Sequence, residues 1–164
     1  MQGNKSEDTK PELLARRHLR AVGLTGYRLH WKKAPGSPDI CFPGRHVAIF
    51  INGCFWHRCP YCNLPLPGSN TEYWQAKFAR NRERDYINRE KLTADGWTVV
   101  VVWECALAPS RIGSTMQRVD SVVIMSGKAR DEGRLLPGRI VEAGFMPIWF
   151  RRRMQKRHCR RRQI

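Results

Sequence analysis

The sequence predicts an α/β domain, in which helices pack against a β-sheet. Two observations support this fold class. The predicted elements follow in the order helix, three strands, helix, strand. The last of these strands, residues 97–103, is apolar without interruption, which is typical of a central strand buried on both faces. Such an order favours a sheet of α/β or α+β type whose faces are covered by helices.

The first helix and the three strands after it are predicted from their start and stop signals. Thr9 is a predicted N-cap, Pro11 lies in the first helical turn, and Gly23 is a natural stop. Strands are predicted where turns rich in Pro and Gly separate apolar runs, at residues 27–31, 39–42 and 46–51.

A second, longer helix is predicted ahead of the central strand. Ser69 and Glu72 fit the capping box, in which a Ser and a Glu three residues later satisfy each other's backbone donors. A polar helix then extends to about Asp95. Gly96 ends this helix, and the strand at residues 97–103 follows directly.

Residues 108–164 differ from the part of the chain before them. The apolar runs 122–125 and 145–150 lie between Gly, Pro and Arg without a clear period, and residues 151–162 are rich in Arg. We therefore predict a domain over residues 1–107 and a basic C-terminal extension of unknown structure over residues 108–164. The Arg-rich end is predicted to be disordered, or ordered only on a polyanion.

The charge of the chain indicates a polyanionic partner. Thirty Lys and Arg face 14 Asp and Glu, which gives a formal net charge of +16. A basic surplus favours nucleic acid because neutralised phosphates release their counterions, although an anionic membrane surface or simple solubility would also suit it. We expect no membrane span and no secretory leader, and hence a cytoplasmic protein.

Four cysteines have a spacing that is typical of a structural zinc site: Cys54, Cys59, Cys62 and Cys105. Zinc takes four tetrahedral ligands, and an all-cysteine set leaves no position for a catalytic water. His46 and His57 are alternative ligands, and buried thiols without a metal are the other interpretation. Cys41 and Cys159 fall outside the pattern, and Cys41 is predicted to be a core residue.

A smaller set of residues suits Mg²⁺-dependent phosphodiester hydrolysis, which needs a carboxylate for the metal and a group that activates water. Asp39 lies at the start of a predicted strand, and Ile51 ends the next strand, where its backbone carbonyl would be a second hard ligand. Glu12 and His57 complete the set. Each residue also has a structural interpretation: Asp39 as a turn former, Glu12 as a helix-start charge and His57 as a surface histidine.

Seven segments resemble, in order and in spacing, the very-short-patch repair (Vsr) endonucleases: residues 8–14, 27–30, 38–40, 49–57, 71–74, 81–85 and 96–105. The most specific are Gly53-Cys54-Phe55-Trp56-His57 and Trp103-Glu104-Cys105. The resemblance covers about residues 1–107 and implies a restriction-endonuclease-like fold of the PD-(D/E)XK superfamily. It also implies a Mg²⁺-dependent nick on the 5′ side of the thymine in a T:G mismatch, which arises when 5-methylcytosine deaminates.

The resemblance also implies roles for single residues in the active site. Asp39 matches the metal-binding aspartate, His57 the histidine that activates water, and Glu12 the helix glutamate. Ile51 stands where the family commonly has a threonine whose main-chain oxygen binds metal. Asn52 replaces a second active-site histidine, so phosphate or water contacts there are expected to be weaker.

For the cysteines and aromatic residues, the resemblance implies structural zinc and contact with DNA. The four cysteines fall on the zinc ligands, with Cys59 at a position where the best-known members have histidine. Phe55 and Trp56 match an aromatic pair that is wedged into the duplex beside the mismatch, whereas the residues alone favour core aromatics next to the zinc loop. Met1 aligns with an intercalating methionine, a role that we do not expect here.

Three hypotheses follow for the function. The first is a mismatch-directed nicking endonuclease that initiates repair, acts as a monomer near the nucleoid and works with mismatch-repair proteins. The second is a restriction- or homing-type endonuclease on the same fold. The third is a catalytically silent, zinc-stabilised DNA-binding protein, which Asn52 would favour.

Overall fold

The computed structural model describes residues 7–144, and within this range the chain forms a mixed sheet of five strands with helices on both faces. Its helices are α1 (Lys10–Ala21), α2 (Thr71–Ala94) and α3 (Ile112–Asp131). Its strands are β1 (Arg28–Leu29), β2 (Ile40–Phe42), β3 (Val47–Asn52), β4 (Thr98–Trp103) and β5 (Arg139–Ala143). Short 3₁₀ turns follow β2 at Pro43–Arg45 and β4 at Glu104–Leu107.

The sheet follows the chain in strand order, from β1 at one edge to β5 at the other. The pairs β1–β2 and β2–β3 are antiparallel, whereas β3–β4 and β4–β5 are parallel. Helix α2 makes the crossover between β3 and β4, as a parallel pair requires. All six residues of β4 are buried, which confirms the predicted central strand.

Alternate residues of the central strands supply two apolar cores, one on each face of the sheet. On one face Val100 and Val102 pack with residues of α1 and α3, among them Leu19 and Val119. On the other face Val99 and Val101 pack in a cluster that includes Leu92 of α2, Trp97 and three buried cysteines. The period-two alternation of a strand produces this division.

The predicted elements before residue 108 are confirmed, with two corrections. The first strand was predicted over 27–31 but its ladder covers only Arg28–Leu29, because His30 takes a left-handed conformation with φ of 43°, which ends the extended strand. The predicted Ser69–Glu72 capping box is wrong. The N-cap of α2 is Asn70, one residue later, in a left-handed conformation with φ of 53°, a region that Asn tolerates better than most residues.

Residues beyond 107, to which the sequence assigned no elements, add a helix and a strand to the same sheet. Helix α3 covers one face, and β5 extends the parallel part of the sheet beside β4. The division at residue 107, which the sequence analysis placed at the end of the family resemblance, stays a prediction. The predictions for Met1, residues 145–150, residues 151–162 and Cys159 lie outside the described residues. No helix within residues 7–144 is long and apolar enough to cross a membrane.

Candidate functional site

The four-cysteine cluster follows from the parallel register of β3 and β4. Asn52 pairs with Trp103 at the carboxyl ends of these strands, and Cys54 and Cys105 each lie two residues further on. The Cys105 N–H donates to Cys54 Sγ over 3.3 Å. The loop after β3 then turns back, with the Cys59 N–H bonded to the Cys54 carbonyl at 2.9 Å.

The sulfur atoms of Cys54, Cys59, Cys62 and Cys105 all lie within 4.8 Å of one another. Burial raises the pKa of the Cys54 thiol to about 12, and burial together with the neighbouring thiols raises the pKa of Cys105. Four thiolates at this separation therefore need a cation among them. The donor set fits zinc, which binds four thiolates tetrahedrally and deprotonates them.

Neither of the alternative histidine ligands belongs to this cluster. His46 stacks on Trp97, with 4.5 Å between ring centroids and 2° between planes, and burial lowers its pKa. The His57 ring is bonded to Asp85 instead. Cys41 is fully buried in β2, outside the cluster, as predicted.

The antiparallel strands β1, β2 and β3 place the predicted site residue Asp39 in one row with a residue from each neighbouring strand. Leu29 pairs with Ile40 and Ile40 with Ile49, so the next residues along, His30, Asp39 and Phe50, follow the same row. The His30 N–H donates to the Asp39 carbonyl at 3.3 Å. The Ile51 N–H donates to Asp39 Oδ2 at 2.6 Å, which fixes this carboxylate at the end of β3.

The groups around Asp39 do not fully compensate the burial of its carboxylate. Burial raises its pKa to about 6, since the hydrogen bond from Ile51 and the nearby His30 and His57 offset the desolvation only in part, and the charge of Glu12 adds to the rise. A hard cation on this carboxylate would favour its ionised form. The residue therefore fits the predicted metal ligand on chemical grounds.

His57 forms a pair with Asp85 of α2. Its Nδ1 lies within hydrogen-bond distance of Asp85 Oδ2. Burial raises the pKa of Asp85, but the bond to His57 and the charges of His57, Arg89 and Arg84 outweigh this effect, so the pKa lies below its ordinary value. Because an ionised carboxylate only accepts, Nδ1 carries the proton in the neutral imidazole, and Nε2 is then the acceptor.

Glu12 lines the same cleft but already has several hydrogen-bond donors. Its Oε1 accepts from Thr9 Oγ1 at 2.7 Å, and its Oε2 from the Asp8 N–H at 3.1 Å and Arg16 Nη2 at 2.9 Å. The residue is 3% exposed. Glu12 thus serves as the helix-start charge and also borders the cleft.

These groups face one cleft of about 850 Å³ between α1, the sheet end and α2. Acidic and imidazole side chains line it together with three cations, Lys77, Arg84 and Arg89. Asn52 also lines it, is 4% exposed, and among the described residues its Nδ2 has no hydrogen-bond partner. The cleft thus combines a candidate metal carboxylate, a proton acceptor and positive charge.

The aromatic pair Phe55 and Trp56 lies at the border of this cleft and is half-buried. Phe55 packs edge-on against Trp56, Trp74 and Phe78, at centroid distances of 5.1, 5.6 and 5.2 Å. Lys77 Nζ lies 5.1 Å from the Trp56 ring centroid. The Trp56 carbonyl accepts from Asn81 Nδ2 at 3.2 Å, which ties the pair to α2. We use "aromatic cluster" for Phe55, Trp56, Trp74 and Phe78.

Sequence reasoning missed several residues that complete the site: Arg16, His30, Trp74, Asp85 and Glu104. A signal for two of them was present, because the residues of α2 that line the cleft or contact its border recur at intervals of three or four positions, at 74, 77, 78, 81, 84, 85, 88 and 89. This spacing places them on one face of a helix. Glu104 accepts the Cys54 N–H at 3.1 Å and so joins the two strand ends.

Comparisons with known proteins found a matching family model and several similar proteins. A family model described as DNA mismatch endonuclease Vsr matches residues 1–63. The chain is 41% identical over 123 residues to a type II nicking enzyme, V.XorIIP, of Xanthomonas oryzae pv. oryzae. The aligned segment covers 75% of this chain and 88% of the relative. The chain is also 36% identical over 107 residues to the DNA mismatch endonuclease Vsr of Escherichia coli. That aligned segment covers 65% of this chain and 68% of the relative.

Proposed function

The chain belongs to the family of the DNA mismatch endonuclease Vsr and is an endonuclease, and from this premise we propose that it nicks one strand of DNA on the 5′ side of the thymine in a T:G mismatch. We propose that the reaction depends on Mg²⁺ and initiates very short patch repair of deaminated 5-methylcytosine. The sheet is then a member of the restriction-endonuclease-like, PD-(D/E)XK class.

The observation that carries this proposal is the cleft that Asp39, Glu12 and the His57–Asp85 pair share. The first two come from the ends of β2 and α1, whereas His57 and Asp85 come from the loop after β3 and from α2. Residues so far apart in sequence meet at one end of the sheet, next to basic side chains that suit a phosphate.

Asp39 and the backbone carbonyl of Ile51 are the proposed ligands of Mg²⁺, and the bond from the Ile51 N–H keeps the two residues together. Asp39 and the Ile51 carbonyl would hold the ion, which would supply positive charge beside the scissile phosphate. Glu12 borders this position from α1, and Asn52 borders it from β3, where it is proposed to contact water or a phosphate oxygen.

The His57–Asp85 pair is proposed to activate the attacking water. Nε2 of His57 accepts a proton as the water oxygen forms a bond to phosphorus, and the ester oxygen leaves with the electrons of the broken bond. The nearby Asp85 carboxylate stabilises the imidazolium that results and keeps the ring in one orientation.

The aromatic cluster supports selection of a mismatch. Phe55 and Trp56 are half-buried and lie beside the cleft, where apolar rings can enter a base step. Unstacking costs a few kcal/mol in a paired duplex and less at a weakly paired mismatch. The four cysteines are proposed to hold a structural zinc that fixes the loop carrying both rings.

A nicking assay with Mg²⁺ tests the proposal. The substrates are labelled on each strand in turn and comprise T:G duplexes with randomised flanks, matched T:A and C:G duplexes, and single strands. We expect cleavage of the thymine strand of T:G duplexes only. Cleavage of matched sites would favour a restriction- or homing-type enzyme, and binding without cleavage a silent DNA-binding protein.

Three narrower expectations from the sequence also remain predictions. They are action as a monomer, association with mismatch-repair proteins, and a cytoplasmic location near the nucleoid. Analytical ultracentrifugation with and without T:G duplex addresses the first, because one protein per duplex is expected.

A further inference from the structure

Arg16 is a buried cation at the α1 end of the cleft. It lies one helical turn after Glu12 and is 6% exposed. Its Nη1 bonds to the Asp8 carboxylate, and its Nη2 lies 2.9 Å from Glu12 Oε2 and 3.0 Å from His30 Nε2. A single guanidinium thus contacts two carboxylates and an imidazole.

The three partners of Arg16 form a ligand set of the kind that binds divalent metals. One ligand atom from each of Asp8, Glu12 and His30 lies within 4.8 Å of the others. Two carboxylates with an imidazole suit several first-row divalent ions. Arg16 supplies the positive charge that such an ion would otherwise bring, and it does so from inside the cluster.

This cluster is also adjacent to the proposed metal ligand. His30 Nδ1 lies 3.9 Å from Asp39 Oδ1, while its Nε2 faces Glu12 Oε2 at 3.5 Å. The His30 ring therefore separates the two carboxylates. Both oxygens of Glu12 already accept hydrogen bonds from Thr9, Asp8 or Arg16, so neither is available to a metal while Arg16 stays in place.

We propose that Arg16 is a resident cation that occupies the Asp8–Glu12–His30 cluster in place of a second divalent ion and confines divalent-metal binding in the cleft to Asp39. Arg16 is then a positioning residue, which acts through Glu12 and His30 and does not touch the substrate. The inference rests on the Asp39 assignment in the proposed function. It explains why a charged arginine is buried beside a site that binds a phosphodiester.

The test counts divalent ions on the zinc-loaded, full-length protein by titration with Mn²⁺, with free Mn²⁺ followed by electron paramagnetic resonance. We expect one ion on the wild type and two on Arg16→Met, which removes the charge and keeps the bulk. Arg16→Lys, which keeps the charge, and Arg17→Met, an exposed neighbour on the same helix, should each bind one. A folded Arg16→Met protein that binds a single ion would overturn the proposal.

Asp8→Asn keeps the proposal testable where Arg16→Met fails to fold. Asp8 is largely exposed, so its substitution removes one ligand from the cluster with little loss of packing. The wild-type count should be unchanged in Asp8→Asn, and loss of an ion would show that the cluster binds metal despite Arg16. Asp39→Asn should lose the single wild-type ion. Its retention would overturn the Asp39 assignment, while a gained ion in Arg16→Met would still support Arg16 as the cluster's cation.

Discussion

The four-cysteine cluster and the acidic cleft lie at the same end of the sheet but are assembled in different ways. The cysteines come from one loop and one strand end, and the register of β3 with β4 alone brings Cys54 beside Cys105. The cleft draws its side chains from α1, α2 and three strand ends. Among its carboxylates Asp39 is partly buried, and its pKa is raised to about 6 in consequence.

This difference implies opposite energetic roles. Metal binding at a closed cysteine site contributes directly to folding, because the unfolded chain has no preformed site. A desolvated carboxylate such as Asp39 has the reverse effect, since its charge costs free energy in the folded state until a cation joins it. Removing a ligand should therefore destabilise the protein at the first site and inactivate it at the second.

The largest effect is expected for Cys54→Ala. Structural zinc contributes roughly 10 kcal/mol or more in small zinc domains, against a total stability of about 5–15 kcal/mol, so the variant should be mostly unfolded. Zinc content by atomic absorption and thermal unfolding by circular dichroism measure this. Cys41→Ala is the matched control, because it removes a buried thiol outside the cluster and should keep one zinc per chain. A stable, zinc-free Cys54→Ala protein would contradict the structural role.

Asp39→Asn should reduce nicking on the order of 10³-fold or more, because a proposed metal ligand is lost. It should also raise stability. The folded-state pKa of about 6 exceeds the ordinary value of 3.8, so the ionised carboxylate destabilises the metal-free protein above pH 6. At one pKa unit to about 1.4 kcal/mol, Asn should gain about 3 kcal/mol at pH 8.

Urea unfolding at pH 8 and at pH 4 tests the second part of this prediction. The gain in Asp39→Asn should shrink toward pH 4, where the wild-type carboxyl is protonated in the folded state. Asp95→Asn, an exposed aspartate at the end of α2, should change neither activity nor stability appreciably. A destabilised Asp39→Asn protein that retains its zinc would break the contrast between the two sites.

The two sites also differ in how far the sequence predicts them. The spacing of Cys54, Cys59 and Cys62 is local, and a strand that ends just before Cys105 indicated the fourth ligand. Asp39 and His57 were predicted as well, but Asp85 was not, because its pairing with His57 spans 28 positions along the chain and depends on how α2 lies over the sheet. Only the three-to-four-residue spacing on α2 indicated it.

The elements that the sequence failed to predict are those with weak patterns. The buried face of α3 includes Thr115, Ser126 and Gly127, so its apolar period is interrupted. A Cβ on Gly127 would lie 2.6 Å from Arg45 Nη1, the far end of a flexible side chain, so a larger residue there would displace the Arg45 guanidinium. Strand β5 is an edge strand of which only Ala143 is buried, so it lacks the continuous apolar run that identified β4.

The His57–Asp85 pair should act as a unit in nicking. His57→Ala is expected to lose roughly 10²- to 10⁴-fold in single-turnover rate, which is the usual contribution of a general base. Asp85→Asn should lose somewhat less, and the double variant should lose no more than His57→Ala alone. The pair His18–Asp120, with Nε2 2.8 Å from Oδ2, has the same chemistry outside the cleft. His18→Ala should leave the nicking rate unchanged. If the losses in rate of His57→Ala and Asp85→Asn add up in the double variant, the two residues do not act as a unit.

The acid limb of the pH profile should report Asp39. At limiting Mg²⁺ the nicking rate should fall about tenfold per pH unit below about 6, because a proton and the metal compete for the Asp39 carboxylate, whose pKa is raised. Raising Mg²⁺ should move the midpoint to lower pH. If the midpoint does not change with the Mg²⁺ concentration, the acid limb belongs to a group other than Asp39.

The smallest effect is expected for Asn52→His, which introduces the histidine that the family resemblance implies at this position. Asn52 is 4% exposed at the end of β3, and its Nδ2 is aimed at no hydrogen-bond partner within the described part of the chain. An imidazole there adds a donor for phosphate or water but must fit a buried position, so we expect single-turnover nicking to change by less than about threefold. A gain of a hundredfold or more would show that Asn52 limits the nicking rate of this protein. The natural chain would then be closer to the catalytically silent DNA-binding alternative.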